Sequence, residues 1–191
     1  MHRDHLTQLD AAIGDADHGL NMDRGFRAVE AFLDAAPELP PGELLRQSGA
    51  TLMFRVGGAA GPLYGIAFRE AGAFLGDEAV YGAEELLAAL RAALDGVQSL
   101  GAAVEGDKTM VDAWLPALAA FHASLRTSAP ADAIRAARAG AEEGAVATTP
   151  MHARKGRASY LGARSIGHQD PGATSSALLF AALARALEPG T

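Results

Sequence analysis

The chain has 191 residues, 49% of them apolar, with a net charge of −7 and a sequence pI near 5.3. That length fits one large domain with a full core, and the acidic balance argues against a nucleic-acid groove or an anionic membrane surface. Cysteine is absent, which excludes a disulfide framework and zinc–thiolate sites; no signal-peptide core or membrane-length apolar run is present, so a soluble, cytoplasmic protein is expected.

In chain order, residues 1–13 read as a short helix with apolar positions Leu6, Leu9 and Ile13, and Asp10 near its end. The stretch Leu9-Asp-Ala-Ala-Ile-Gly-Asp-Ala-Asp-His-Gly-Leu-Asn-Met22 then places Asp10, Asp15 and Asp17 within eight residues. Asp15 and Asp17 can face one side of an irregular turn. Three anions held this close repel one another unless a cation lies between them. An all-oxygen donor set suits Mg²⁺ or Ca²⁺. The calcium-loop pattern fails, because counting from Asp15 puts Leu20 at the sixth position and Phe26 at the twelfth. The plain alternative is a solvated acidic turn before a helix. Gly14 and Gly19 favour the ligand reading, since glycine lets the backbone approach a bound group closely. Asn21 opens a helix predicted over 22–35, whose N-terminus beside carboxylates suits a metal-bridged phosphate.

Pro37, Pro40 and Pro41 stop that helix, and a third is predicted over 42–54. Val56-Gly-Gly-Ala-Ala-Gly-Pro-Leu-Tyr64 interrupts the pattern before a helix from Pro62 to Leu75. Its glycines fit an anion cradle or merely a tight turn. Neither a Walker A lysine nor a preceding strand accompanies them. A helix follows over 83–100, then a loop to Gly106 and a helix over 107–125, with Asp107 or Thr109 as caps. Lys108 is expected to be an exposed lysine, with phosphate neutralisation as the sharper alternative. Met110 is expected in the core or against a flat ligand. A helix over 130–147 precedes a long, irregular, basic stretch over 148–172, and a last helix over 173–187 closes the chain. In that stretch Arg157 offers a bidentate fork to phosphate, or a salt bridge to Asp170. His18 and His168 read first as hydrogen-bonding loop residues. No nucleophile or Ser-His-Asp set is defensible from spacing. Carboxylates, glycines and an arginine without a nucleophile suit phosphoryl transfer. The expected fold is all-α, one domain over 1–191: an antiparallel barrel or bundle of seven to eight amphipathic helices with a site at one end.

Five motifs taken together resemble the nucleotide-binding L subunit of dihydroxyacetone kinase. They are Leu9-Asp10…Gly14-Asp-Ala-Asp-His-Gly19-Leu-Asn-Met22, Val56-Gly-Gly-Ala-Ala-Gly-Pro-Leu-Tyr-Gly65, Gly106-Asp-Lys-Thr-Met-Val-Asp112, Gly156-Arg-Ala-Ser-Tyr-Leu-Gly162 and Ser165-Ile-Gly-His-Gln-Asp-Pro-Gly172. The resemblance implies a helical barrel binding ADP or ATP with two Mg²⁺. It assigns Asp10, Asp15 and Asp17 to metal, and His18, Gly19, Leu20 and Asn21 to the phosphate loop. Ala59 and Ala60 match a second phosphate contact, Gly101 and Met110 the nucleoside side, and Arg157, Asp170, Pro171 and Gly172 the remaining nucleotide contacts. It implies a separate K subunit that holds dihydroxyacetone. In the phosphotransferase-system branch an M subunit rephosphorylates bound ADP; in the other branch ATP exchanges freely. A homodimer is left open. Ala16 stands where the family usually has glycine, Ala60 where it commonly has serine, and the short lead before Asp10 implies a shortened first helix. Two alternatives remain: a non-catalytic nucleotide-binding regulatory module, and a related kinase domain serving another ketose or a fatty acid.

Overall fold

A computed structural model describes residues 2–35 and 38–187. Among these the chain is all-helical, without strands. The helices are α1 (Arg3–Ile13), α2 (His18–Ala35), α3 (Pro41–Arg55), α4 (Ala60–Leu75), α5 (Ala83–Gly101), α6 (Val111–Leu125), α7 (Pro130–Ala147) and α8 (Pro171–Ala186). A 3₁₀ helix covers Arg157–Ser165. The expected stop at Pro37 lies outside the described residues; Pro41 instead opens α3, where its missing N–H costs no helical bond.

Several elements differ from the sequence reading, among them α4, which begins at Ala60 rather than Pro62. Helix α2 begins at His18, directly after Asp17, because the Asn21 N–H already bonds the Asp17 carbonyl. Helix α6 begins at Val111 rather than at 107, since Asp107–Met110 form turns tied to side chains. The 148–172 stretch is less irregular than expected, with nine residues in 3₁₀ geometry. Helix α8 starts at Pro171, with Asp170 as its N-cap.

The chain divides into two compact units: one takes in the chain to Thr7 with Asp17–Ala102, the other Gln8–Ala16 with the chain from Ala103 onward. In the first, α3 and α4 pack along glycines spaced by seven. A Cβ on Gly72 would lie 2.4 Å from the Gly42 carbonyl oxygen, and one on Gly49 would lie 2.6 Å from the Gly65 carbonyl oxygen. The glycines let the two backbones meet directly, with Met53, Arg69 and Arg46 lying against them. Leu52 and Tyr64 are buried beside it, and Leu87, Ala93 and Val97 form the buried stripe of α5. In the second unit, α7 meets α6 at Gly140 and Gly144, which face Pro116 and the Asp112 carbonyl. Trp114 packs edge-to-face on Phe180 with centroids 5.2 Å apart, and its indole N–H donates to the buried Ser176 hydroxyl. Ile13 packs with Ala153, Ala158 and Leu161, which fixes the end of α1 against the stretch carrying Arg157.

Candidate functional site

Asp10 lies on α1 and is buried, while Asp15 and Asp17 follow in the turn before α2. The Gly14 N–H donates to the Asp10 carbonyl, and a Cβ on Gly14 would lie only 2.0 Å from Asp10 Oδ1. Glycine is therefore required there: it lets the chain turn back beneath the carboxylate. Ala16 completes the turn in the left-handed region, with φ of 62°. Glycine adopts that conformation at less cost than alanine does. One oxygen from each of Asp10, Asp15 and Asp17 lies within 4.8 Å of the others. Three carboxylates would offer Mg²⁺ the all-oxygen donor set it takes, so the residues present fit that ion.

Arg157 meets this cluster. Its Nη2 donates to Asp15 Oδ2 at 3.0 Å, and the guanidinium remains two-thirds exposed. A pair so open to water contributes about 1 kcal/mol at most, so it orients more than it stabilises. The salt bridge to Asp170 expected as an alternative does not form. Asp170 is engaged elsewhere: its Oδ2 accepts from the Ala173 N–H at 2.7 Å, capping α8. Burial raises the Asp170 carboxyl to about 7, opposed by that hydrogen bond and by the charge of Lys108, and assisted by Asp112.

In the first unit, His18 opens α2, Gly19 is buried against α1, Leu20 is half exposed and Asn21 is buried. Asn21 accepts from Arg24 and abuts Gly57, where a Cβ would meet its amide within 3 Å. Arg24 Nε also donates to the Arg55 carbonyl, satisfying one of the last carbonyls of α3. Ala59 caps α4 and Ala60 is its first residue. Gly101, the last residue of α5, lies near Leu63 of the same first turn of α4. In the second unit, Met110 is buried, and a Cβ on Gly172 would lie 3.8 Å from Met110 Cβ. Pro171 and Gly172 form the first turn of α8. His168 is exposed, and its carbonyl accepts from Lys108.

The expectation for Lys108 is overturned. Its side chain is buried rather than exposed, and its ammonium is directed at backbone carbonyls rather than towards solvent phosphate. The sequence reading also passed over Asp112. Its two oxygens accept from the N–H groups of Gly106 and Thr109, at 2.6 and 2.8 Å, and so shape the Gly106–Met110 turn. An aspartate three residues after a threonine, ahead of a helical run, was the available signal.

The sequence profile described as the DAK2 domain matches residues 12–185. The chain belongs to the DAK2-domain family. This DAK2 chain is 48% identical, over 96% of its length and 88% of the relative's, to the ADP-binding subunit DhaL of the PEP-dependent dihydroxyacetone kinase of Escherichia coli. It is 41% identical to the ADP-binding subunit DhaL of the PTS-dependent dihydroxyacetone kinase of Lactococcus lactis, over 94% of this chain and 85% of that one. The L-erythrulose 1-kinase of Mycolicibacterium smegmatis is 40% identical over 93% of the DAK2 chain, which spans 31% of that enzyme. Among solved structures, the dihydroxyacetone kinase of C. freundii in complex with AMP-PNP and Mg²⁺ superposes with a TM-score of 0.75 at 31% identity, covering 97% of this chain and 31% of that one. Among the described residues no helix is long and apolar enough to cross a membrane.

Proposed function

We propose that this chain is the nucleotide-binding subunit of a dihydroxyacetone kinase, holding ADP or ATP with two Mg²⁺ and passing a phosphoryl group to dihydroxyacetone on a separate K subunit. The convergence of Asp10, Asp15 and Asp17 in a DAK2 chain is the observation that carries this reading. Bound Mg²⁺ supplies charge neutralisation at the phosphate oxygens. The chain's own groups do the rest. Asp10, fixed on α1 over Gly14, gives the cluster a rigid side, while Asp15 and Asp17 stand on the turn. Arg157 already points its guanidinium into the acidic cluster and has more donors than its contact with Asp15 uses. His18 to Asn21, Ala59 and Ala60, and Asp170 to Gly172, the residues the resemblance assigns to nucleotide, stand at the starts of α2, α4 and α8, where the helix dipole favours an anion. Such a site neutralises and orients a polyphosphate without a covalent intermediate. Ala60 has no hydroxyl to offer, so its contribution is the backbone N–H.

Asp15→Asn should abolish Mg²⁺-dependent ADP binding in a calorimetric titration, and unchanged affinity would remove the metal assignment. Turnover with a K subunit supplied in trans tests the enzymatic role against a purely regulatory one. Similarity to PEP- and PTS-dependent relatives supports an M subunit as phosphoryl donor. Stoichiometric ADP found by mass spectrometry after dialysis is expected for that branch. The erythrulose kinase supports a second acceptor class, because this chain matches it outside the remaining two-thirds of that enzyme. The acceptor is thus chosen by the partner, and assays with both ketoses distinguish the two.

A further inference from the structure

Lys108 is 1% exposed, although a charged lysine is almost never fully buried without partners. Its Nζ lies 2.8 Å from the Thr148 carbonyl oxygen, 3.2 Å from that of Met151, 3.4 Å from that of Thr149 and 2.5 Å from that of His168. Three of these carbonyls leave the end of α7, and the fourth lies at the far end of the excursion that returns to α8. Between them lies the 3₁₀ helix that starts at Arg157. The same two ends are joined by the Gly167 N–H on the Thr149 carbonyl and the Asp170 N–H on Thr148 Oγ1. The residue holds φ of 64°, a conformation costing a side-chain-bearing residue about 1–2 kcal/mol. Such strain persists where the surroundings over-determine it. Asp112 supplies that constraint by binding the N–H groups of Gly106 and Thr109 on either side.

We infer that Lys108 is a positioning residue whose ammonium serves as a built-in cation, gathering four backbone carbonyls to set the 148–170 excursion and, through it, Arg157 and the Asp170-Pro171-Gly172 turn. A neutral side chain in this cage would remove the donor from the Met151 and His168 carbonyls, while those of Thr148 and Thr149 keep the N–H groups of Met151 and Gly167. Dehydrating an ammonium is itself costly, and burial lowers its proton affinity from the ordinary value while the nearby Asp170 raises it. Four convergent carbonyls offset that cost as they would for a metal cation. The consequence for nucleotide rests on the function proposed above; the consequence for the excursion does not.

Lys108→Gly keeps the left-handed backbone and removes the whole aminobutyl side chain, ammonium included. Backbone hydrogen exchange should rise across 148–170 with α3 to α5 unchanged, and Mg²⁺-dependent ADP affinity should fall on the order of tenfold. Added n-butylammonium should restore both, and n-butanol should restore neither. Unchanged exchange, or equal rescue by the alcohol, overturns the inference. Wild-type protein that binds no ADP overturns the nucleotide reading but leaves the exchange result to decide for Lys108. If the glycine variant fails to fold, the native chain decides. It has two lysines, Lys108 and Lys155. An acylating reagent should modify Lys155 and spare Lys108 until unfolding, and modification of both at similar rates overturns the inference.

Discussion

Asp170 shows how far a residue's role depends on its surroundings. In sequence it is an acid before a proline; in the fold it caps α8 from a buried position. Its carboxyl is raised from 3.8 to about 7, first by burial. The folded protein therefore keeps a proton that the unfolded chain has lost. The stability this group contributes is complete below about pH 4 and falls as pH rises through 7, by on the order of 4 kcal/mol. Asparagine can still accept from the Ala173 N–H. Asp170→Asn should flatten the stability–pH curve over that window and match or exceed wild type at pH 8, as read by urea denaturation. Ala16 makes a simpler case. Its left-handed φ should make Ala16→Gly stabilising by up to about 1 kcal/mol, the relief of strain exceeding the added freedom of the unfolded chain. A lower melting temperature for that variant would remove the strain argument. The cluster of Asp10, Asp15 and Asp17 was legible because the three are close in sequence. The burial of Lys108 was not, since its carbonyl partners lie 40 to 60 residues away.

Helices were readable wherever an apolar stripe and a proline coincided, as in α7, which spans Pro130–Ala147 as expected. Boundaries moved where side chains replaced helical bonds: Asp112 holds Gly106 and Thr109 outside α6, and Asp170 carries α8 back to Pro171. The glycines of α3 and α4 suggest weak helices by propensity alone, yet both form, because close packing outweighs the cost of glycine in a helix. Gly72→Ala tests this. The methyl would lie 2.4 Å from a carbonyl oxygen, so the seam must open, costing about 1–3 kcal/mol despite alanine's better helix propensity. The melting temperature should fall by roughly 2–4 °C per kcal/mol. A rise would show that the helices separate without penalty.

For the molecule as a whole, ligand linkage is the broadest test. If Mg²⁺ and ADP bind together, saturation at a hundred times the dissociation constant should add about 2.7 kcal/mol to stability, a shift of several degrees. ADP with chelator should give a much smaller shift, because three carboxylates then face the phosphates unneutralised. Equal shifts with and without Mg²⁺ would place the nucleotide away from Asp10, Asp15 and Asp17. The sequence by itself determined the helical class, the family resemblance and the acidic cluster, because periodicity, glycine-flanked carboxylates and motif order all act over short stretches of chain. Only the tertiary structure decided that Arg157 faces Asp15, that Asp170 is a buried cap and that Lys108 is enclosed by carbonyls. Those are contacts between residues far apart in sequence, and burial, which sets the charge state and partner of each, exists only once the helices have packed.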